Sequence, residues 1–205
     1  TQWSSSAASD VYKRQREVYQ NVEEMLEVED AGVLISARLR LADGFLEIGE
    51  SERAREHAMS VHDLSLELNE HQLHARSRVI LGRYYAKTKD SELSLLHYNA
   101  ALETFSEEAN PTNAVETEML LGQVLVDVGR TSEASEHYLD ALSIAEANDF
   151  RLLQAEILAR LGTIRGDRSE RVAYLQRSLS VFKDLGAHTR MKEIQNSVHR
   201  ALMGR

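Results

Sequence analysis

Cysteine is absent from this sequence, and proline occurs once among its 205 residues. Without cysteine the chain can form neither a disulfide bond nor a thiolate metal site. Glycine, the other common helix breaker, occurs only ten times. Because so few residues interrupt a helix, the composition favours long helices, and the 42% of apolar residues suffices for a core.

Long apolar stretches are lacking as well. No run approaches the roughly 18–20 residues that cross a bilayer, and the N-terminus has no apolar signal-peptide core. The net charge is −9, so the surface repels the phosphates of nucleic acids on average. We therefore expect neither a membrane nor a nucleic acid as a partner, and we expect a cytoplasmic location.

The first residues differ from the rest of the chain. Residues 1–9 read TQWSSSAAS, which is polar and carries no periodic apolar pattern. We predict that residues 1–14 are a non-native or disordered leader, and we leave them out of the fold argument.

An internal repeat organises the remainder. A leucine followed by a small residue recurs at intervals of 40 residues, as Leu41-Ala42, Leu81-Gly82, Leu121-Gly122 and Leu161-Gly162. Twelve positions after the small residue comes another one in the first three copies: Ala54, Ser94 and Ala134. In the fourth copy the later segment is shifted by about three residues, which predicts a shortened turn near Arg165–Arg168. A fixed period of this length indicates a stack of equivalent supersecondary units.

Each copy is predicted to be a helical hairpin. In the first segment the apolar residues recur at helical spacing: Leu39, Leu41, Phe45, Leu46 and Ile48. Gly49 and Gly129 suit the left-handed position that closes a helix. Predicted caps of the following helices are Ser51, Asp90 and Thr131 or Ser132. The small residues should let paired helices approach closely.

The Leu-Gly pair, the aromatic Tyr85 and the second-helix tyrosines Tyr98 and Tyr138 resemble the tetratricopeptide repeat over about residues 31–190. The period of 40 is longer than the family's usual period of about 34. The resemblance implies an all-α fold, a right-handed α-α superhelix that forms an α-solenoid of antiparallel helical hairpins.

Domain limits follow from the repeat. We predict four hairpins over residues 31–187, at about 35–74, 75–114, 115–154 and 155–187. Residues 15–30 carry an apolar stripe at Val18, Val22 and Leu26, and we predict that they form the second helix of a truncated preceding repeat. Residues 188–205 are predicted to form a terminal helix, a cap or half repeat, with its stripe at Met191, Ile194, Val198 and Leu202.

Catalytic motifs are missing. The sequence has no phosphate-binding GxxxxGK[ST] or GxGxxG, no GxSxG and no HExxH, so we expect no enzyme activity and no cofactor. His57, His97 and His137 stand 40 residues apart, but helices pack roughly 8–10 Å apart whereas metal–nitrogen bonds measure about 2.0–2.1 Å. We therefore predict a repeat position beside a core aromatic and no metal site. A two-histidine site at His71 and His74 is the less favoured alternative.

A candidate binding face comes from the resemblance, which implies that the first helices line the concave face and contact ligands. The second copy places basic residues there: Arg76, Arg83 and Lys87. The other copies place mainly acidic or polar ones: Asp43, Glu47, Glu116, Gln123, Asp127 and Thr163. Two interpretations remain open. The basic group binds an acidic side chain or carboxylate of a partner, or it neutralises its acidic neighbours within the chain.

These features predict a protein- or peptide-binding scaffold or sensor module, a fragment of a larger signalling or regulatory protein, whose partner offers an acidic anchor. One alternative is a structural spacer that oligomerises through its ends. Another is the regulatory array of an enzyme whose catalytic domain lies outside this chain.

Overall fold

The structure, a computed structural model, describes residues 3–24, 31–164 and 166–203, without the side chains of 3–11 and 24. Every regular element in these ranges is an α-helix, which confirms the all-α, tetratricopeptide-like solenoid class. The ten helices are α1 (Trp3–Glu24), α2 (Ala31–Glu47), α3 (Ser51–Glu67), α4 (His71–Lys87), α5 (Ser91–Glu107), α6 (Pro111–Asp127), α7 (Thr131–Ala147), α8 (Arg151–Leu161), α9 (Arg168–Asp184) and α10 (His188–Met203).

The repeat appears directly in the helix bounds. Helices α2, α4, α6 and α8 begin at residues 31, 71, 111 and 151, and α3, α5 and α7 begin at 51, 91 and 131. Each helix from α2 to α7 has 17 residues, and three residues join it to the next. The predicted hairpin starts at 35, 75, 115 and 155 thus fall one turn inside the first helices.

The turns share one backbone geometry. Gly49 and Gly129 have φ of 85° and 82°, the left-handed conformation expected of them. The amide of the next residue returns to the helix, as Glu50 N donates to the Phe45 carbonyl at 2.8 Å. Asp90 caps α5, since its Oδ1 accepts from Leu93 N at 3.2 Å.

Two of the predicted caps are wrong. The N-cap positions of α3 and α7 are held by Glu50 and Arg130, one residue before Ser51 and Thr131. Both helices therefore begin one residue too early for the predicted side chains to cap them. A cap absent from our prediction is Asn110, whose side chain accepts from Asn113 N ahead of α6.

The fourth hairpin is shorter. Helix α8 has 11 residues and ends at Leu161, and α9 begins at Arg168, 37 residues after the start of α7. The difference from 40 agrees with the three-residue shift read in the sequence. Arg165, within the predicted turn, lies outside the described residues.

The chain divides into two compact units, Thr1–Thr104 and Phe105–Arg205. The core of the first unit includes Leu39, Leu41, Phe45 and Leu46, all buried as their spacing predicts, while Ile48 packs at its edge. A core cluster of the second unit contains Ala155, Leu175, Phe182, Ile194 and Ala201. None of the described helices combines the length and the apolar character needed to span a bilayer.

The first and last helices use their apolar residues differently from the predicted stripes. On α1 the side chain that packs is Tyr19, edge-on to Phe45 at 5.7 Å, while Val18 is 56% exposed and Val22 is also exposed. Leu26 lies outside the described residues. On α10, Ile194 is buried, Met191 and Val198 pack against the core, and Leu202 is exposed.

Glycines set the spacing of paired helices. A Cβ built on Gly82 would lie 2.5 Å from the ring of Tyr98, and one on Gly122 would lie 2.5 Å from the ring of Tyr138. Real Cβ atoms do not come that close, so each tyrosine ring lies directly on a glycine backbone. The corresponding residues of the first hairpin are Ala42 and Ala58, both fully buried.

We predict that Gly82→Ala destabilises the chain, although alanine is the better helix former. The added methyl group would push the Tyr98 ring away and should lower the free energy of unfolding by about 1–3 kcal/mol. In a Tyr98→Ala background the same change should be neutral or should stabilise by up to about 1 kcal/mol, as the Ala42–Ala58 combination suggests. Urea denaturation of the four proteins of this cycle measures both values. An equal loss in both backgrounds would contradict the role given to the ring.

Candidate functional site

The first-helix face of the first unit brings the predicted basic and acidic residues together. Arg83 of α4 donates from Nη1 to Asp43 Oδ1 of α2 at 2.8 Å. Arg76 also acts on the Asp43 carboxylate, favourably, and Glu47 acts on it unfavourably. The Lys87 ammonium donates to the Leu46 carbonyl. Arg76, Arg83 and Lys87 thus face α2 as one group, here called the basic face.

Burial weakens the charges on this face. Removal from water raises the pKa of Asp43, and the nearby Arg83 and Arg76 only partly offset this effect. The pKa of Lys87 is lowered by desolvation first and by Arg83 second. The side chains of Arg83 and Asp43 are still 33% and 42% exposed, so water and a ligand can reach the pair. The pair is therefore an ion pair at the rim of the core.

The second unit has its own polar contacts between first helices. Arg160 of α8 donates from Nη1 to Gln123 Oε1 of α6 at 2.6 Å, and Gln123 Nε2 donates to Asp127 Oδ1 at 2.9 Å. Further along, Arg190 of α10 pairs with Glu156 of α8 at 3.3 Å. Arg160 was absent from our sequence prediction because it lies two residues before Gly162, at a position that is Arg40, Ile80 and Leu120 in the other copies.

Two other predicted residues lie elsewhere. Glu116 is exposed on α6. Thr163 lies beyond the end of α8, where its hydroxyl donates to the Arg160 carbonyl at 2.7 Å. The prediction that placed Thr163 on a helix is wrong, because α8 ends six residues short of the 17-residue length that the other first helices have.

A common arrangement emerges in both units. An arginine of the later first helix reaches a carboxylate or amide oxygen of the preceding first helix: Arg83 to Asp43, Arg160 to Gln123, and Arg190 to Glu156. We call these contacts the arginine bridges. They hold the arginines in place within the chain, and each bridge uses only part of a guanidinium that offers five N–H donors.

The histidine ladder behaves mostly as predicted. His57 stacks on Phe45 with ring centroids 5.5 Å apart, and His97 stacks on Tyr85 at 5.3 Å. The third copy has Leu125 in place of the aromatic ring, and there His137 Nδ1 lies 2.6 Å from Glu118 Oε2. Within the described ranges no three histidine or carboxylate side chains are grouped so that they could hold a metal ion.

Paired helices with a fixed period and polar bridges on one face define a helical-repeat scaffold. Residues 119–148, which hold most of α6 and α7, match the tetratricopeptide repeat family model. The chain is therefore a tetratricopeptide-repeat protein, as its sequence resemblance suggests. No curated protein matches it in sequence.

Solved structures share the fold at low sequence identity. A signal transduction ATPase with numerous domains and a tetratricopeptide repeat sensor, from Pyrococcus horikoshii, is 14% identical over 92% of this chain, with a TM-score of 0.78. Aspartyl phosphate phosphatase F from Bacillus subtilis is 13% identical over 89%, with a TM-score of 0.77. The Rap conjugation gene regulator of plasmid pLS20, in complex with the Phr* peptide, is 14% identical over 87%, with a TM-score of 0.60.

These relatives are longer. The chain spans 31% of the ATPase, 49% of the phosphatase and 56% of the plasmid regulator. It therefore corresponds to the repeat part of such proteins in fold, and the identities are low enough that the likeness concerns the fold alone.

We predict that the Arg83–Asp43 pair contributes little to stability. Exposed ion pairs contribute about 0.2–1 kcal/mol, and salt screens them. A double-mutant cycle of Arg83→Ala and Asp43→Ala, followed by urea denaturation, should give a coupling energy in that range that shrinks at high salt. A coupling above about 2 kcal/mol, unaffected by salt, would instead make the pair a structural element.

Proposed function

We propose that this chain is a non-catalytic protein-interaction module that binds an acidic peptide segment on its basic face. The observation that carries the proposal is the grouping of Arg76, Arg83 and Lys87 on one helix against only two acids of the neighbouring helix, Asp43 and Glu47. Arginine suits this task because its planar fork can bind a carboxylate through two parallel hydrogen bonds.

Exchange of partners supplies a binding mechanism. A carboxylate of the peptide would replace or join Asp43 on the Arg83 guanidinium, which uses its Nη1 for the present contact. The exchange costs little, since an exposed ion pair is weak and Asp43 is poorly solvated where it lies. Glu47, one turn away, would favour a basic residue next to the acidic anchor of the peptide.

The relatives support the class of ligand. One related structure is a plasmid regulator in complex with a peptide, and another carries a tetratricopeptide repeat sensor. An extended peptide or a helix laid against stacked first helices is a recurrent mode of recognition. The polar residues of the second unit, Glu116, Gln123 and Asp127, remain predicted contacts for a longer ligand.

The test uses labelled decapeptides with aspartate or glutamate at alternate positions, and matched peptides with asparagine or glutamine instead. We predict that the acidic peptides bind more tightly and that Arg83→Glu with Lys87→Glu weakens them at least about tenfold, since hydrogen bonds to charged groups contribute about 1.5–3 kcal/mol. Fluorescence anisotropy at two salt concentrations measures the affinities.

The matched control reverses two exposed basic residues of α9, Arg177→Glu with Lys183→Glu, which changes the net charge equally. This variant should bind within about twofold of the parent if the local basic face, and not the overall charge, decides affinity. Equal losses in both variants, or equal binding of acidic and amide peptides, would contradict the proposal.

A further inference from the structure

The histidine ladder faces different charges in successive copies. The histidines occupy positions 57, 97 and 137, and 19 residues before each stand Arg38, Arg78 and Glu118. In the third copy this residue is a hydrogen-bond partner, since Glu118 contacts His137 at 2.6 Å. In the second copy it is a cation, because Arg78 acts unfavourably on a protonated His97. One position of the fold thus holds an imidazole beside an acid or beside a base.

The second copy gathers further basic groups. The rings of His62 on α3 and His74 on α4 lie 4.4 Å apart. The charged and titratable groups that act on His74 are His62, Arg78 and His71, and those that act on His97 are Arg78 and His62. All of them are basic. We call His62, His74, His97 and Arg78, contributed by α3, α4 and α5, the histidine junction.

Protonation of this junction has no ready counterion. In the described part of the chain, His74 Nε2 and His97 Nδ1 are buried without a hydrogen-bond partner. Asp63 lies 3.3 Å from His62 Nδ1, but its carboxylate is exposed. Glu70, at the start of α4, contributes its backbone carbonyl to the His74 amide. A second proton on either ring would therefore be a buried positive charge beside Arg78.

We propose that the histidine junction is an acid-sensitive switch: protonation of His74 and His97 beside Arg78 opens the contact of α4 with α3 and α5, while the His137–Glu118 pair of the second unit stays closed.

The direction of the effect follows from linkage. Desolvation, with His62, Arg78 and His71, lowers the pKa of His74 from 6.5 to about 4, and desolvation with Arg78 and His62 lowers that of His97. The open form thus takes up protons below pH 6.5 that the closed form refuses, and stability falls as the pH drops from 6.5 towards 4. The hydrogen bond of Glu118 raises the pKa of His137, so protonation in this range favours the closed form there.

A consequence for binding follows, and it rests on the function proposed above. Helix α4 carries both the histidine junction and the basic face, so opening the junction would displace Arg76, Arg83 and Lys87 from α2. Mild acid should then release an acidic peptide. The switch itself needs no peptide to be observed.

Hydrogen exchange of the full chain at pH 7.0 and 5.0, corrected for intrinsic rates, measures the opening. Each histidine that is protonated only in the open form raises the opening constant by up to about tenfold per pH unit below 6.5. We expect amides of α3 and α4 to open at least about tenfold more at pH 5.0, with a change below about twofold in α6 and α7. An equal change in both pairs of helices would overturn the proposal.

Exchanging residues between copies provides the decisive variants. Arg78→Glu gives His97 the partner that His137 has, and His74→Gln installs the residue of position 154, where Gln154 is buried and donates to the Ala145 carbonyl at 2.8 Å. Either variant should reduce the acid response of α3 and α4 at least about threefold, whereas Arg78→Lys should retain it. The same response in all three variants would overturn the proposal, as would loss of the response in Arg78→Lys alone.

Discussion

The contact of a tyrosine ring with a glycine backbone determines how closely two helices of a hairpin approach. Tyr98 lies on Gly82 and Tyr138 lies on Gly122, and no side chain separates the helices at these points. With 17-residue helices and three-residue turns, this contact recurs every 40 residues. Residues 40 positions apart therefore meet the same surroundings, and both the arginine bridges and the histidine ladder depend on that equivalence. The first hairpin reaches the same end with two alanines, Ala42 and Ala58, so it is the combined size of the pair that matters.

Much of the fold could be predicted from the sequence because periodicity records packing directly. The 40-residue interval, the buried positions of the first helix, the glycines with positive φ and the shortened fourth copy all follow from residue type and spacing. Helix ends were harder to predict. Asp90 caps its helix as expected, but Ser51 does not, since the end of a helix depends on backbone bonds that form one residue earlier. The misplacement of Thr163 has the same origin: the 40-residue repeat continues in the sequence beyond Leu161, whereas the helix does not.

The candidate site could be predicted only in part, for a geometric reason. Asp43 and Arg83 occupy equivalent positions in adjacent copies, and a comparison of equivalent positions finds them. Arg160 and Gln123 are not equivalent, yet they bond, because a long side chain on a truncated helix reaches back towards the neighbouring helix. The arginine bridges are thus a property of helix stacking that no single position of the repeat encodes. They also reconcile the two interpretations of the basic group. An arginine can neutralise its neighbour within the chain and still offer the remaining donors of its guanidinium to a ligand.

Histidine in this fold illustrates how a repeat can assign opposite properties to one position. Stacking on Phe45 or Tyr85 requires only a flat ring, so the backbone geometry does not decide whether that ring is charged. The charge is decided by a residue 19 positions earlier, which packs against the ring without being needed for the hairpin. Glu118 and Arg78 are therefore exchangeable as far as the fold is concerned, and they differ only in the protonation state that they favour. A repeat protein can in this way place a stable unit beside an acid-sensitive one while keeping the same helices, turns and core contacts in both.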